Sequence, residues 1–271
     1  MKNYELITFD MDGTLLDSEK NISEDSIEMI RKAAKAGKTV TLSTGRCFPE
    51  LNRYLKLLPE IQYIICMSGA LVYDVINQKT INSHTISVPI VQKILQEVKD
   101  FDLIIHLLST DSIVQKNKIR RMEDYHMGVY QTMFDEVTIK PEDIFLYYKD
   151  NSIPLYKINF YMRNQQERME LRKRLAPMEL TLINVEHSAL ECTAQNVSKA
   201  LGLSRLCDYL HIPIDRTIAV GDADNDLEIL NCAGLAIAMG NATQSIREIA
   251  DVIVNDNDHN GCSYAIREYL L

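Results

Sequence analysis

Basic residues are scarce relative to acidic ones, 29 Lys and Arg against 38 Asp and Glu, for a formal net charge of -9. That balance argues against a nucleic-acid phosphate backbone as partner, since such binding depends on basic patches. It also speaks against anionic membranes, although a small phosphorylated substrate stays admissible because a bound cation reverses the local field. The six cysteines (Cys47, Cys66, Cys192, Cys207, Cys232 and Cys262) form no C-x-x-C pair. This argues against a zinc ribbon or a disulfide frame and for reduced, buried thiols. The histidines show no H-E-x-x-H spacing, and no internal repeat or low-complexity tract is present. No apolar run reaches the roughly 18 residues of a membrane span. The amino terminus enters a strand pattern almost at once, leaving no room for a signal peptide, so a cytoplasmic location is expected. What remains is a composition of 46% hydrophobic and 25% charged residues, that of a soluble globular protein. The 271 residues suffice for one large domain or two smaller ones.

The flanks of the chain alternate short apolar strands with amphipathic helices. Leu6–Phe9, Thr39–Leu42 and Gln62–Cys66 read as strands. Between the first two, Ser23 can cap a helix that runs to about Ala36, with Ile27, Ile30, Ala33 and Ala34 on one face and Gly37 as its stop. The alternation resumes with a helix from Ser198 to Leu210, a strand from Thr217 to Val220, and strands at Leu235–Ala238 and Val252–Val254. Helices stand between these strands, and a closing helix spans Gly261–Leu270. This pattern predicts an α/β fold with a doubly wound, Rossmann-like parallel sheet, whose ligands bind beyond the carboxyl ends of the strands. The middle mixes long helical patterns with strands such as Leu103–Leu108 and Leu155–Tyr161, and reads as an inserted α+β cap. The expected division is a core of residues 1–83 and 189–271 and a cap of residues 84–188. The hinges should lie near 80–86 and 187–191, with substrate held in a cleft between lid and core.

The chemistry is carried by four segments. Asp10-Met11-Asp12-Gly13-Thr14 places two carboxylates two residues apart where a strand runs out. Like charges that close need a cation or a shared proton to relieve them, and Mg²⁺ commonly takes one or two carboxylates plus substrate phosphate. The bland reading is an Asp-Gly turn. Ser43-Thr44-Gly45-Arg46 ends the second strand, where a hydroxyl and a Gly N–H could hold a phosphate oxygen or Thr44 could simply cap a helix. Lys199 opens a helix after Asn196-Val197-Ser198, and most lone lysines are solvated. Finally, Gly221-Asp222-Ala223-Asp224-Asn225-Asp226 crowds three acids where a strand hands over to a helix. Helix starts favour acids, which accounts for Asp224 and Asp226 but not for Asp222.

Together these pieces resemble the haloacid dehalogenase-like hydrolase superfamily, and within it the Cof-type subfamily with a large cap of the IIB type. The carriers are DMDGTLL, LSTGR, NVSKALGLSRL and GDADNDLEIL, followed by AIAMGNATQSIREIADVIVNDNDHNG. The resemblance implies a Mg²⁺-dependent phosphatase acting on a small phosphomonoester, a sugar phosphate or phosphorylated cofactor, through an aspartyl-phosphate. Asp10 would be the nucleophile and Asp12 the general acid and base. Mg²⁺ would be held by the Asp10 carboxylate, the Asp12 carbonyl and Asp222, with Asp226 supporting in a second layer. Lys199, Thr44 and Asn225, with backbone N–H groups near Met11 and Gly45, would grip the phosphate oxygens. A phosphomutase on the same scaffold is the nearest alternative. A signalling phosphoacceptor is a more distant one, disfavoured because such a module needs neither a second poised Asp nor a cap. No signal bears on oligomeric state.

Three positions depart from the family pattern: Ser68 where Asn is usual, Ala200 after the lysine where Gly is usual, and Asp224 where Gly or Glu is usual. His106, His126 and His187 read as core or solvated histidines. Tyr125, Tyr130, Tyr147, Tyr148, Tyr156 and Tyr161 read as packing, and Lys116, Lys118, Arg120 and Arg121 as a solvated face. Arg46 suits either substrate contact or bracing of its loop.

Overall fold

The computed structural model describes residues 3–271. The amino-terminal flank supplies β1 (Leu6–Phe9), β2 (Thr39–Ser43), β3 (Tyr63–Cys66), β4 (Leu71–Asp74) and β5 (Lys79–Ser83). The middle supplies β6 (Ile104–Leu108), β7 (Ser112–Val114), β8 (Lys157–Tyr161), β9 (Leu180–Val185) and β10 (Ala189–Ala194). The last stretch adds β11 (Thr217–Gly221), β12 (Leu235–Ala238) and β13 (Val252–Ile253). Among the described residues two compact units result, one of residues 3–45, 52–83 and 198–271, the other of residues 46–51 and 84–197.

The first unit is an eight-stranded sheet in the order β13-β12-β11-β1-β2-β3-β4-β5. Its strands from β13 to β3 run parallel, and β4 and β5 return antiparallel at one edge. The chain leaves β1 toward β2 and comes back on its other side with β11, so the strand order reverses at β1. That switch point is where an open α/β sheet leaves a crevice. The helix Glu24–Lys35 shows how local chemistry sets the crossovers. Ser23 caps it by accepting from the Ser26 N–H, and Gly37 at φ +77° ends it. Its buried face is Ser26, Met29, Ile30 and Ala33, rotated slightly from one through Ile27 and Ala34. The closing helix is α-helical only over Gly261–Ala265 and finishes as a π-turn over Ile266–Leu270.

The second unit is a five-stranded antiparallel sheet, β7-β6-β8-β10-β9. One face buries Ile105, Leu107, Ile158, Phe160, Leu190 and Cys192 with apolar residues from the helices Val88–Glu97, Ile144–Asp150 and Gln165–Leu175. The alternate residues carry a polar row, in which His106, Asn159 and Glu191 are direct cross-strand neighbours. The return to the parallel sheet comes later than residue 189. Ala189–Ala194 pairs with both β8 and β9, because Glu186 at φ +48° turns the chain into a hairpin where the sequence suggests a hinge.

Candidate active site

β1 and β11 end side by side, with Phe9 in register with Val220 and the Asp10 N–H donating to the Val220 carbonyl at 3.0 Å. Asp10 and Asp222 therefore leave adjacent strand ends. The loop after β1 folds back tightly, its Met11 carbonyl accepting from the N–H groups of Thr14 and Leu16. Gly13 sits at φ +83°, and a Cβ there would lie 2.5 Å from Asp222 Oδ2. Only glycine combines that backbone with that approach. The Thr14 hydroxyl donates to Asp222 Oδ1 at 2.6 Å, and Asn241 Nδ2 donates to the Gly13 carbonyl at 2.8 Å.

Lys199 comes from the first turn of the helix Lys199–Leu210, capped by Ser198. This helix end lies very close to the sheet. A Cβ on Gly69 would stand 2.0 Å from the Ser198 carbonyl oxygen, and one on Gly202 would stand 2.4 Å from Ile65 Cγ2. The close approach carries the lysine inward, where its side chain is 1% exposed and Nζ lies 2.6 Å from both Asp10 Oδ1 and Asp226 Oδ1. The second oxygen of Asp226 accepts from the N–H groups of Asp222 and Ala223. Asp226 is thereby committed to the protein, whereas Lys199 engages one oxygen of Asp10 and Thr14 one oxygen of Asp222.

Ligand atoms of Asp10, Asp222 and Asp226 all lie within 4.8 Å of one another. Burial pushes the Asp10 carboxyl well above its usual range; the Lys199 ammonium opposes this, and Asp226 and Asp222 add to it. Burial raises Asp222 to about 6, with the Thr14 hydroxyl opposing and Asp226 reinforcing. Lys199 is held protonated, since Asp10 and Asp226 outweigh its desolvation. One ammonium among two buried carboxylates and the half-buried Asp222 leaves an excess of negative charge, and the oxygen-only donor set fits a small hard cation such as Mg²⁺.

The other residues singled out in the sequence take varied places. Asp12 is half-buried and its Oδ1 meets Lys20 Nζ at 2.9 Å. Thr44 is buried, with its N–H on the Ile65 carbonyl and its own carbonyl on the Ser68 N–H. Ser68 takes the left-handed conformation at φ +58°, which Asn adopts more readily, so this departure keeps the turn at some cost. Asn225 Oδ1 is buried without a hydrogen-bond partner. Asp224 accepts from the hydroxyls of Thr243 and Ser245, so it anchors the start of the helix Gln244–Ile249. Ala200 packs against the apolar cluster of the parallel sheet.

In the second unit Arg46 is buried, with Nη1 2.9 Å from Met133 Sδ and its guanidinium over the Tyr130 ring. His106 is buried between Ser112, Glu50 and Tyr161, as a satisfied core histidine. The Ser112 and His106 contacts, with Arg46, hold the buried Glu50 carboxyl down to about 2 despite desolvation. Lys116, Lys118 and Arg121 pair with Glu142, Asp102 and Asp124 respectively. Sequence reasoning missed Lys20, Thr14 and Asn241, which lie in loops without periodicity.

Comparison with known proteins places this geometry in context. Residues 7–266 match the family described as haloacid dehalogenase-like hydrolase. A curated relative, 5-amino-6-(5-phospho-D-ribitylamino)uracil phosphatase YitU of Bacillus subtilis (strain 168), is 27% identical over 275 residues, covering 97% of each chain. Phosphatase YwpJ of the same organism is 26% identical over 284 residues, covering 98% of this chain and 99% of its own. Among solved structures, a haloacid dehalogenase-like hydrolase from B. subtilis superposes with a TM-score of 0.86 at 26% identity, covering 98% of this chain and all of that one.

Proposed function

Because the chain belongs to the haloacid dehalogenase-like hydrolase family and is a phosphatase, we propose that it hydrolyses a small phosphomonoester through an aspartyl-phosphate on Asp10. The observation that carries this reading is the buried Asp10 carboxylate at the switch point, fixed at 2.6 Å by Lys199 with Asp222 and Asp226 beside it. Asp10 attacks phosphorus, the bond to the leaving oxygen breaks, and Asp12 gives that oxygen its proton. Asp12 then takes a proton from water, the water oxygen attacks the same phosphorus, and the bond to Asp10 breaks to release inorganic phosphate. Lys199, Thr44, Asn225 and the N–H groups of Met11 and Gly45 hold the non-bridging oxygens. Positioning and charge neutralisation account for most of the rate in such transfers.

A Mg²⁺ ion held by Asp10, the Asp12 carbonyl and Asp222, with Asp226 supporting from the layer behind, would neutralise charge on the transferred phosphoryl group. The inserted unit is the part that selects the leaving group. Among the described residues no helix is long and apolar enough to cross a membrane. The free cysteines, nearly all buried, suit a reducing compartment and hence the cytoplasm.

A panel of phosphorylated metabolites assayed with Mg²⁺, with EDTA and after metal restoration tests the proposal. The compound named for the relative, 5-amino-6-(5-phospho-D-ribitylamino)uracil, comes first in the panel, followed by sugar phosphates. Full turnover in metal-free buffer would refute the metal requirement. Rapid quench with labelled substrate tests the two aspartates separately. Asp10→Asn should lose at least about 10⁴-fold in turnover and trap no label. Asp12→Asn should lose about 10²–10⁴-fold and accumulate labelled protein from p-nitrophenyl phosphate, whose leaving group needs little protonation. Label trapped on Asp10→Asn instead would reverse the assignment.

A further inference from the structure

The turn after the opening motif holds a lysine in an unusual way. Lys20 adopts the left-handed backbone conformation at φ +64°, which long side chains avoid and Gly or Asn would take more easily. The conformation is held by side chains on the helix Phe48–Leu57. Arg53 Nη2 donates to the Lys20 carbonyl at 2.8 Å, and the Tyr54 hydroxyl donates to the same oxygen at 3.0 Å. Tyr54 is fully buried, its hydroxyl accepts from Arg53, and the Arg53 guanidinium lies over its ring at 4.5 Å from the centroid. The rest of the turn is equally tied down. The Asp17 carboxylate accepts from the N–H groups of Glu19 and Asn21, Ser18 donates to Asp258, and Asn257 donates to the Leu16 carbonyl.

This arrangement places Lys20 Nζ 2.9 Å from Asp12 Oδ1, with side chains 20% and 26% exposed. A turn that needed only its shape would not call for a lysine. Strain kept by surrounding structure and ending on a reacting group is the pattern from which function is inferred.

We propose that Lys20 is the positioning residue of Asp12. Its ammonium engages Oδ1 and sets the plane of the carboxyl group, so that Oδ2 delivers the proton to the leaving oxygen and later receives one from water. The role of Lys20 is to orient Asp12, which makes the proton transfers. This rests on the acid–base reading of Asp12 above. It adds that Asp10 and Asp12 each have a lysine of their own, Lys199 for the nucleophile and Lys20 for the acid.

The test compares kcat/KM for phenyl phosphate and p-nitrophenyl phosphate, which differ little in size but greatly in leaving-group acidity. Lys20→Met should lose about 10- to 100-fold with phenyl phosphate and less than about threefold with p-nitrophenyl phosphate. Lys20→Arg should restore most of the difference. Lys20→Gly supplies the independent check, because it relieves the backbone strain while removing the ammonium, and it should lose as much as Lys20→Met. In an Asp12→Asn background, Lys20→Met should add no further loss. Equal losses with both substrates, or full activity in Lys20→Gly, would make Lys20 a turn residue only and overturn the proposal. If Asp12→Asn alone shows no leaving-group dependence, the acid–base reading fails and this inference falls with it, and the Asp12→Asn data tell that failure from the other.

Discussion

Lys199 in the parallel-sheet unit and Lys157 in the antiparallel one are both 1% exposed at the side chain, and each holds a carboxylate at 2.6 Å. Their surroundings differ in charge. Lys199 serves Asp10 and Asp226 with Asp222 in the same cluster, whereas Glu191, the carboxylate that Lys157 holds, belongs to no such acidic cluster among the described residues. A buried lysine and carboxylate outside any acidic cluster balance each other's charge and serve as a structural pair. Three carboxylates around one ammonium are incomplete; burial is the main cause that raises the pKa values of Asp10 and Asp222, and the neighbouring acids add to it. Burial of a lysine is therefore no sign of function by itself; the local balance of charge is what separates the two regions.

The comparison breaks most readily at the lysines themselves. Removing one partner of a buried pair costs about 3–5 kcal/mol, because the other charge is left uncompensated. Lys199→Met and Lys157→Met should each lose stability of that order in metal-free buffer. Added Mg²⁺ should restore part of it for Lys199→Met and none for Lys157→Met, as read by chemical denaturation at several metal concentrations. Equal rescue of the two would erase the distinction.

A smaller effect of opposite sign is expected at Asp222. Its folded-state pKa of about 6 exceeds the usual 3.8, so between those values the folded chain binds more protons than the unfolded one. That contribution is fully present below about 4 and is lost as pH rises through about 6. At pH 7 and without metal, Asp222→Asn should thus be more stable than the parent by about 1–3 kcal/mol. It should also lose the stability increment that Mg²⁺ confers. A variant less stable than the parent under those conditions would show that the Asp222 carboxylate is not disfavoured by its burial beside other acids.

The gentlest test uses pH alone. Protons and metal compete for the same carboxylates, so calorimetric titration should find Mg²⁺ affinity falling at least about tenfold per pH unit below about 6. Stability of the Lys157–Glu191 unit should not follow that trend. A flat affinity between pH 5 and pH 7 would contradict the cluster as the metal site.

Parts of this site were open to reading before any fold was known. Asp10, Asp12 and Asp222 stand out because their oddity is local: acids placed where a strand ends and no helix start requires them. The crossover helix after Ser23 was equally plain, since its cap, periodicity and Gly37 stop all lie within one short segment. The antiparallel edge of β4 and β5 and the pairing of β10 were not. A strand pattern states that a segment is extended and half-buried, but not which neighbour it joins, and Ala189–Ala194 fits either sheet by composition. Lys20 was passed over for a related reason: a lone lysine in a loop carries no period, and its ion pair depends on a backbone angle set by Arg53 and Tyr54 from another element.

The sequence by itself determined the fold class, the carboxylates that would cluster and the residue types around them, because propensity, hydrophobic period and turn chemistry act over a few residues at a time. Tertiary structure alone decided that Lys199 bridges Asp10 to Asp226, that Thr14 holds Asp222, that Asp224 anchors a helix and that Lys20 meets Asp12. Those contacts join segments far apart in the chain, or hang on a strained angle that another helix enforces. Their geometry is fixed only when strand order and close packing at Gly13, Gly69 and Gly202 bring the segments together.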